Sequence, residues 1–170
     1  MESSKNKYED LVEKLELLSR QEMLRHLKIL AGRSEETAAY LEMVVADCPE
    51  VHLRKNISEF KCFDHHFRYD ELFALSQQLC NLLENIANQV LDPDAAINLV
   101  LDFYETDCHV FEHCDDDGVI GDVYSDDANN LLNSLWLKSV NRETHKERIK
   151  VLVVNNDYGV RDALLPYLKV

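Results

Sequence analysis

Apolar residues recur every three or four positions along nearly the whole chain, and alternation of apolar and polar residues is nowhere sustained. That period belongs to the α-helix. Leu11, Leu15 and Leu18 predict a helix over 6–18. Ser19 and Glu22 form a capping box, in which hydroxyl and carboxylate satisfy each other's backbone N–H groups. It opens a helix over 20–31 carrying Met23, Leu24, Leu27 and Leu30, with Gly32 as its left-handed terminator. Ser34 caps a helix over 35–46, on which Ala38, Leu41 and Val45 share a face. Pro49 suits the first position of the next, whose stripe is Leu53, Ile57 and Phe60. The aromatic and charged stretch "KCFDHHFRYD" reads as a connection.

Leu72, Leu75, Leu79, Leu82, Ile86 and Val90 then mark a long helix over 69–91. Asp92 and Pro93 stop it and cap a helix over 93–114. "DDDGVIGD" reads as a loop; Leu131, Leu132, Leu135 and Trp136 predict a helix over 123–139; Ile149, Leu152 and Val153 predict another over 143–155. "NNDYG" is a turn before a short helix over 159–168, bent near Pro166. About eight helices on short connections predict one all-α domain over 1–170, an antiparallel, repeat-like helical stack. The only β-prone run is "IKVLVV".

Composition narrows the class. Four glycines and three prolines are too few for a many-turned β fold. Five cysteines, an odd number without a C-x-x-C pair, read as reduced structural thiols, which fits the cytoplasm of a bacterium or phage. No apolar run approaches the length of a transmembrane helix, and "MESSKNKYED" has no apolar signal core.

Charge changes the picture more. The net charge is −14, and residues 69–137 hold 15 acids and no Lys or Arg, while the rest of the chain is close to neutral. A block of this sign repels nucleic acid and anionic lipid and attracts basic surfaces. On the helix 93–114, Asp94, Asn98, Asp102, Glu105, His109, Glu112 and Asp116 fall on one straight stripe, opposite Val100, Phe103, Val110 and Phe111. Acids on such a stripe stand about 5–6 Å apart, near the spacing of phosphates along a strand. Asp107 breaks the pattern by lying amid the apolar side. It requires a partner there, with Arg68, Arg142 and loop N–H groups as candidates.

The segment "CHVFEHCDDDG" contains H-x-x-E-H, the inverted zinc-peptidase signature. His109 and His113 would bind the metal and Glu112 would activate water. Cys108 and Cys114 point in different directions on the helix and do not complete the site. The third ligand would have to be a downstream glutamate, and only Glu143 and Glu147 follow. "DDDG" fails as a calcium loop, because with Gly118 at the sixth position the twelfth is Tyr124 and not an acid. Weak divalent-ion binding by Asp115, Asp116, Asp117 and Asp122 is the residual possibility. The end of a helix with a wet, acidic face accounts for the motif better than a metallohydrolase does.

The segment "FEHCDDDGVIGDVYSDDANNLLNSL" resembles the "DDS-G-x-x-G" region of an uncharacterised bacterial helical family that also occurs fused to SWIM-type zinc fingers, and "NNDYGVRDALLPYL" is similar to that family's next repeat. The resemblance implies an all-helical scaffold without assigned catalytic residues. The zinc-finger cysteines and histidine are absent here, so no zinc site is implied. His113-Cys114 stands where that family usually has an arginine and an aliphatic residue.

The reading that follows is a non-enzymatic, cofactor-free interaction module. Its acidic block would dock on a basic protein surface through Asp94, Asp102, Glu105, Glu112, Asp115, Asp116, Asp117, Asp122, Asp126 and Asp127. A sharper form has it imitate nucleic-acid charge as an inhibitor of the anti-restriction or anti-CRISPR kind. The alternative is a metal-dependent hydrolase using His109, Glu112 and His113.

Overall fold

A computed structural model of the protein describes residues 18–35, 37, 38, 41, 49–115 and 118–169. They are helical as the apolar period requires, and the chain divides into two compact units, Met1–Asp47 and Cys48–Val170. In the first unit, α1 spans Arg20–Ala31. The Ser19 N–H donates to Glu22 Oε2 at 2.9 Å, and the Glu22 N–H donates back to Ser19 Oγ at 3.3 Å, which completes the capping box. Gly32 ends α1 at φ −80°, right-handed and not left-handed, because its N–H still reaches Lys28 O and extends the helical ladder. Ser34 Oγ accepts the Thr37 N–H at 3.1 Å as a cap should. The helix expected over 6–18 and most of that over 35–46 lie outside the described residues.

The second unit begins with α2 (Pro49–Glu59) and α3 (Tyr69–Gln89). The leucine seam of α3 is inward: Leu72, Leu75, Leu79, Leu82, Leu83 and Ile86 are buried. Next comes α4 (Pro93–Tyr104), started by Asp92 accepting the Asp94 and Ala95 N–H groups. Ala96, Ile97, Leu99, Val100, Leu101, Phe103 and Tyr104 are all fully buried, so α4 is apolar on nearly every side and forms the centre of the unit. It packs against α2 and α3 and against two later helices, α7 (Asn129–Trp136) and α8 (Arg142–Val154).

The helix expected over 93–114 is broken. After Tyr104 the ladder tightens, with Thr106 N–H and hydroxyl both on Phe103 O, and a separate α5 runs Asp107–Glu112. The cause is Arg161. Its Nη2 takes the Tyr104 carbonyl at 3.2 Å, which a continuous helix would give to the Cys108 N–H. The Cys108 N–H turns to Asp107 Oδ1 instead.

"DDDGVIGD" is only partly a loop. Gly118 adopts φ +116°, a conformation that favours glycine, and α6 (Val119–Asp122) starts directly after it. The backbone continues through a π-helical turn, Val123–Ala128, into α7, so one helical rod runs from 119 to 136. The Tyr104 hydroxyl donates to Tyr124 O at 2.7 Å within the core. The chain closes with a 3-10 helix, Val160–Leu168, entered through Gly159 at φ +77°. The glycines of "DDDGV" and "DYGV" therefore play the same part, each turning the chain into a helix. Among the described residues the only β-type pairing is an isolated bridge between Phe67 and Cys114, and no helix is long and apolar enough to cross a membrane.

Candidate interaction surface and histidine cluster

His109, Glu112 and His113 converge as helical spacing demands: one ligand atom from each lies within 4.8 Å of the others. Their hydrogen bonds decide what the cluster can do. His109 Nε2 accepts the backbone N–H of Phe63 at 3.0 Å, so its own proton sits on Nδ1. His113 Nδ1 donates to His109 O at 2.8 Å, leaving Nε2 with the lone pair. To ligate through Nδ1, His109 would carry its proton on Nε2, pointing at the Phe63 N–H. The strap 61–68 would then have to let go.

That strap is well fastened. Phe63 stacks on His109 at 5.9 Å and meets Phe67 edge-on at 4.8 Å, and the Phe67 N–H donates to His113 O at 2.7 Å. Glu143 and Glu147, the downstream glutamates, pair with Lys146 and Lys150 on α8. The residues of "CFDHHF" thus meet those of H-x-x-E-H in an aromatic and histidine contact between elements.

The acidic stripe is not a row of free charges. Asp94 is buried and accepts from Ser139 Oγ at 2.5 Å, Asn141 Nδ2 at 2.9 Å and His145 Nε2 at 2.9 Å. The Ser139 hydroxyl above all, against the effect of burial and helped by His145 and the Asn141 and Val140 N–H groups, holds its carboxyl at about 2. Asp102 is gripped by Arg54 at 2.5 Å and Arg148 at 2.8 Å. Glu105 takes Arg148 at 2.8 Å and Lys61 at 3.3 Å; burial opposes its ionisation, but these two cations keep its pKa below the usual carboxylate range. Asp94 is therefore turned inward, whereas half-buried Asp102 and exposed Glu105 stay near the surface with cations from other elements already paired to them. Asp94, polar on the wheel of α4, is covered all the same, because Ser139, Asn141 and His145 close over it.

Asp107 is fully buried, as its place among apolar residues required, but its partner is Arg161 and neither Arg68 nor Arg142. The guanidinium grips it through Nε at 2.7 Å and Nη2 at 2.5 Å and spends its other N–H groups on the carbonyls of Tyr104, Leu152 and Asn155. Arg142 instead donates to Trp136 O and Leu137 O.

The remaining acids differ. Asp115 lies 3.5 Å from His66. Asp116 and Asp117 lie outside the described residues. Glu84, Glu112, Asp122 and Asp126 are exposed and meet no cation within ion-pair distance among the described residues, and the same holds for Asp127, whose carboxylate accepts only the Cys80 thiol at 3.5 Å. Glu84 and Asp127 flank a groove of about 290 Å³ between α3 and the rod 119–136, with Cys80, Leu83, Ala87 and Leu131 as its other walls. Burial and the neighbouring Asp127 push the Cys80 thiol up to about 11, so it is neutral there.

Glu84 and this groove were absent from the sequence-level candidates. The one signal for them was a second stripe on the flank of α3, Tyr69, Phe73, Cys80, Glu84 and Ala87, beside the leucine seam. No protein-family model matches the chain, and neither a curated protein nor a solved structure matches it.

Proposed function

We propose that the protein is a non-enzymatic, acidic interaction module that docks on a basic protein surface. The observation that carries this is the sorting of the acidic block by the fold. Asp102 and Glu105 of the stripe are paired with Arg54, Lys61 and Arg148, all drawn from outside the block, whereas Glu84, Asp122, Asp126 and Asp127 are exposed without a cation among the described residues, and Glu84 and Asp127 flank one groove. An exposed acid cluster with no cation in reach raises its own electrostatic energy, and a basic partner relieves it. The resemblance to a helical family without assigned catalytic residues supports the same reading. Asp94, Asp102 and Glu105 of the row that suggested nucleic-acid mimicry already have partners within the chain, so the proposal draws its support from the groove acids.

The test is a pull-down from the native host followed by binding measurements on the recovered partner. Association should be fast and should slow as salt rises, because exposed charges are screened beyond about 8 Å at physiological ionic strength. Reversing Glu84, Asp122, Asp126 and Asp127 to lysine should keep the helical circular dichroism and remove most of the affinity. A partner indifferent to salt and to these reversals would leave the acids as ordinary solvated surface. Competition by added DNA would restore the mimicry version.

A further inference from the structure

The groove between α3 and the rod 119–136 is more than an acidic patch. Its lining is apolar at buried Leu83, half-buried Leu131 and exposed Ala87, with the neutral Cys80 thiol, and two exposed carboxylates join it, from Glu84 on one wall and Asp127 on the other. The volume, about 290 Å³, suits an aliphatic or aromatic side chain and is too small for a second layer of structure. Tyr69 and Phe73, 72% and 75% exposed, lie on the same flank of α3 as Cys80, Glu84 and Ala87. Successive members of this flank, with Gln77 included, are three or four residues apart, so they run straight along the helix axis. Such a line, apolar at Tyr69, Phe73, Cys80 and Ala87 and carrying the Glu84 carboxylate, matches a partner helix reading i, i+3, i+4 and i+7. The π-helical turn, Val123–Ala128, carries Asp127 to the groove edge, and such turns recur at functional sites.

We infer that this groove takes a helix of a partner protein that presents an apolar anchor flanked by Lys or Arg, the anchor entering between Leu83, Ala87 and Leu131 and the cations meeting Glu84 and Asp127. Charge complementarity selects that occupant: the rim holds two carboxylates, and no Lys or Arg belongs to the surrounding segment 69–137. An uncharged apolar helix would leave the rim acids desolvated without partners, which is costly. The inference rests on the acidic-docking reading and adds to it the apolar anchor.

The probes are two synthetic peptides of equal length and charge, an amphipathic Lys/Leu helix and a Lys/Ser control, titrated calorimetrically into the full chain at physiological ionic strength. Ala87→Trp plugs the groove from an exposed position and alters no charge. It should weaken the Lys/Leu peptide about ten- to a hundredfold, the loss of one buried leucine-sized anchor, and leave the Lys/Ser peptide unchanged. Glu84→Lys with Asp127→Lys should weaken both. In the wild-type chain the Lys/Leu peptide, and not the control, should protect Cys80 from alkylation, read by mass spectrometry; this keeps the test decisive if the plugged variant misfolds. If the charge reversals weaken both peptides but the plug weakens neither and Cys80 stays reactive, the anchored groove is overturned and acidic docking stands. If neither set of changes matters, both are overturned. Self-association of the chain that Ala87→Trp abolishes would make a second copy the occupant and overturn the basic-helix assignment.

Discussion

Two buried carboxylates show how much one residue's role depends on what reaches it. Asp107 and Arg161 are 54 positions apart and meet in a bidentate pair inside the core. Removing one partner strands the other, so Asp107→Ala should destabilise the fold by about 3 kcal/mol. Replacing both at once by apolar residues of similar volume should cost less than the two single changes summed, which a double-mutant cycle in denaturant measures. Asp94 makes the complementary case in pH. Its carboxyl is held at about 2 against an ordinary value of 3.8, because its charged form gathers the hydroxyl of Ser139, the ring of His145 and two backbone N–H groups. A depressed acid contributes stability that is complete above its unfolded value and disappears as pH falls through the folded one. The melting-temperature gap between wild type and Asp94→Asn should therefore be widest near neutrality and shrink between pH 3.8 and about 2. A gap that stays constant over that range would assign Asp94 a purely steric part.

At the scale of elements, the interruption at 105–106 and the strap 61–68 give the H-x-x-E-H segment its character. Because Arg161 captures the Tyr104 carbonyl, α5 begins afresh at Asp107. Its histidines then fasten the strap through the Phe63 and Phe67 N–H groups, with His109 contributing its ring nitrogen and His113 its backbone carbonyl. A histidine committed in this way is a structural acceptor. His109→Ala should speed hydrogen exchange at the Phe63 amide and cost about 1–3 kcal/mol, since a half-buried N–H loses its partner. The purified protein should carry no stoichiometric zinc, and EDTA should leave its melting temperature unchanged. One zinc per chain, lost when His109 and His113 are both replaced by alanine, would replace the interaction reading with the hydrolase.

Over the whole molecule, the charge count is divided into two populations. Arg54 of α2, Lys61 of the strap and Arg148 of α8 cross to Asp102 and Glu105, and these half-exposed pairs add little stability individually. The other population has no such cations among the described residues: Glu84 on α3, Glu112 on α5, and Asp122, Asp126 and Asp127 on the rod 119–136. The net charge of −14 is thus unevenly spread, and the salt dependence of the proposed docking is expected to come from the second population.

The helical class, the capping box at Ser19, the start at Pro49, the leucine seam of α3 and the burial of Asp107 were all legible in the sequence. Each depends on neighbours within a turn or two, and local periodicity encodes such neighbours directly. Tertiary structure alone decided the rest. It broke the helix 93–114, because Arg161 arrives from the last helix to take a carbonyl. It turned Asp94 inward, because Ser139, Asn141 and His145 close over it. It chose which acids are paired, because the cations that reach Asp102 and Glu105 lie more than forty residues away, and no local pattern records which distant side chain arrives.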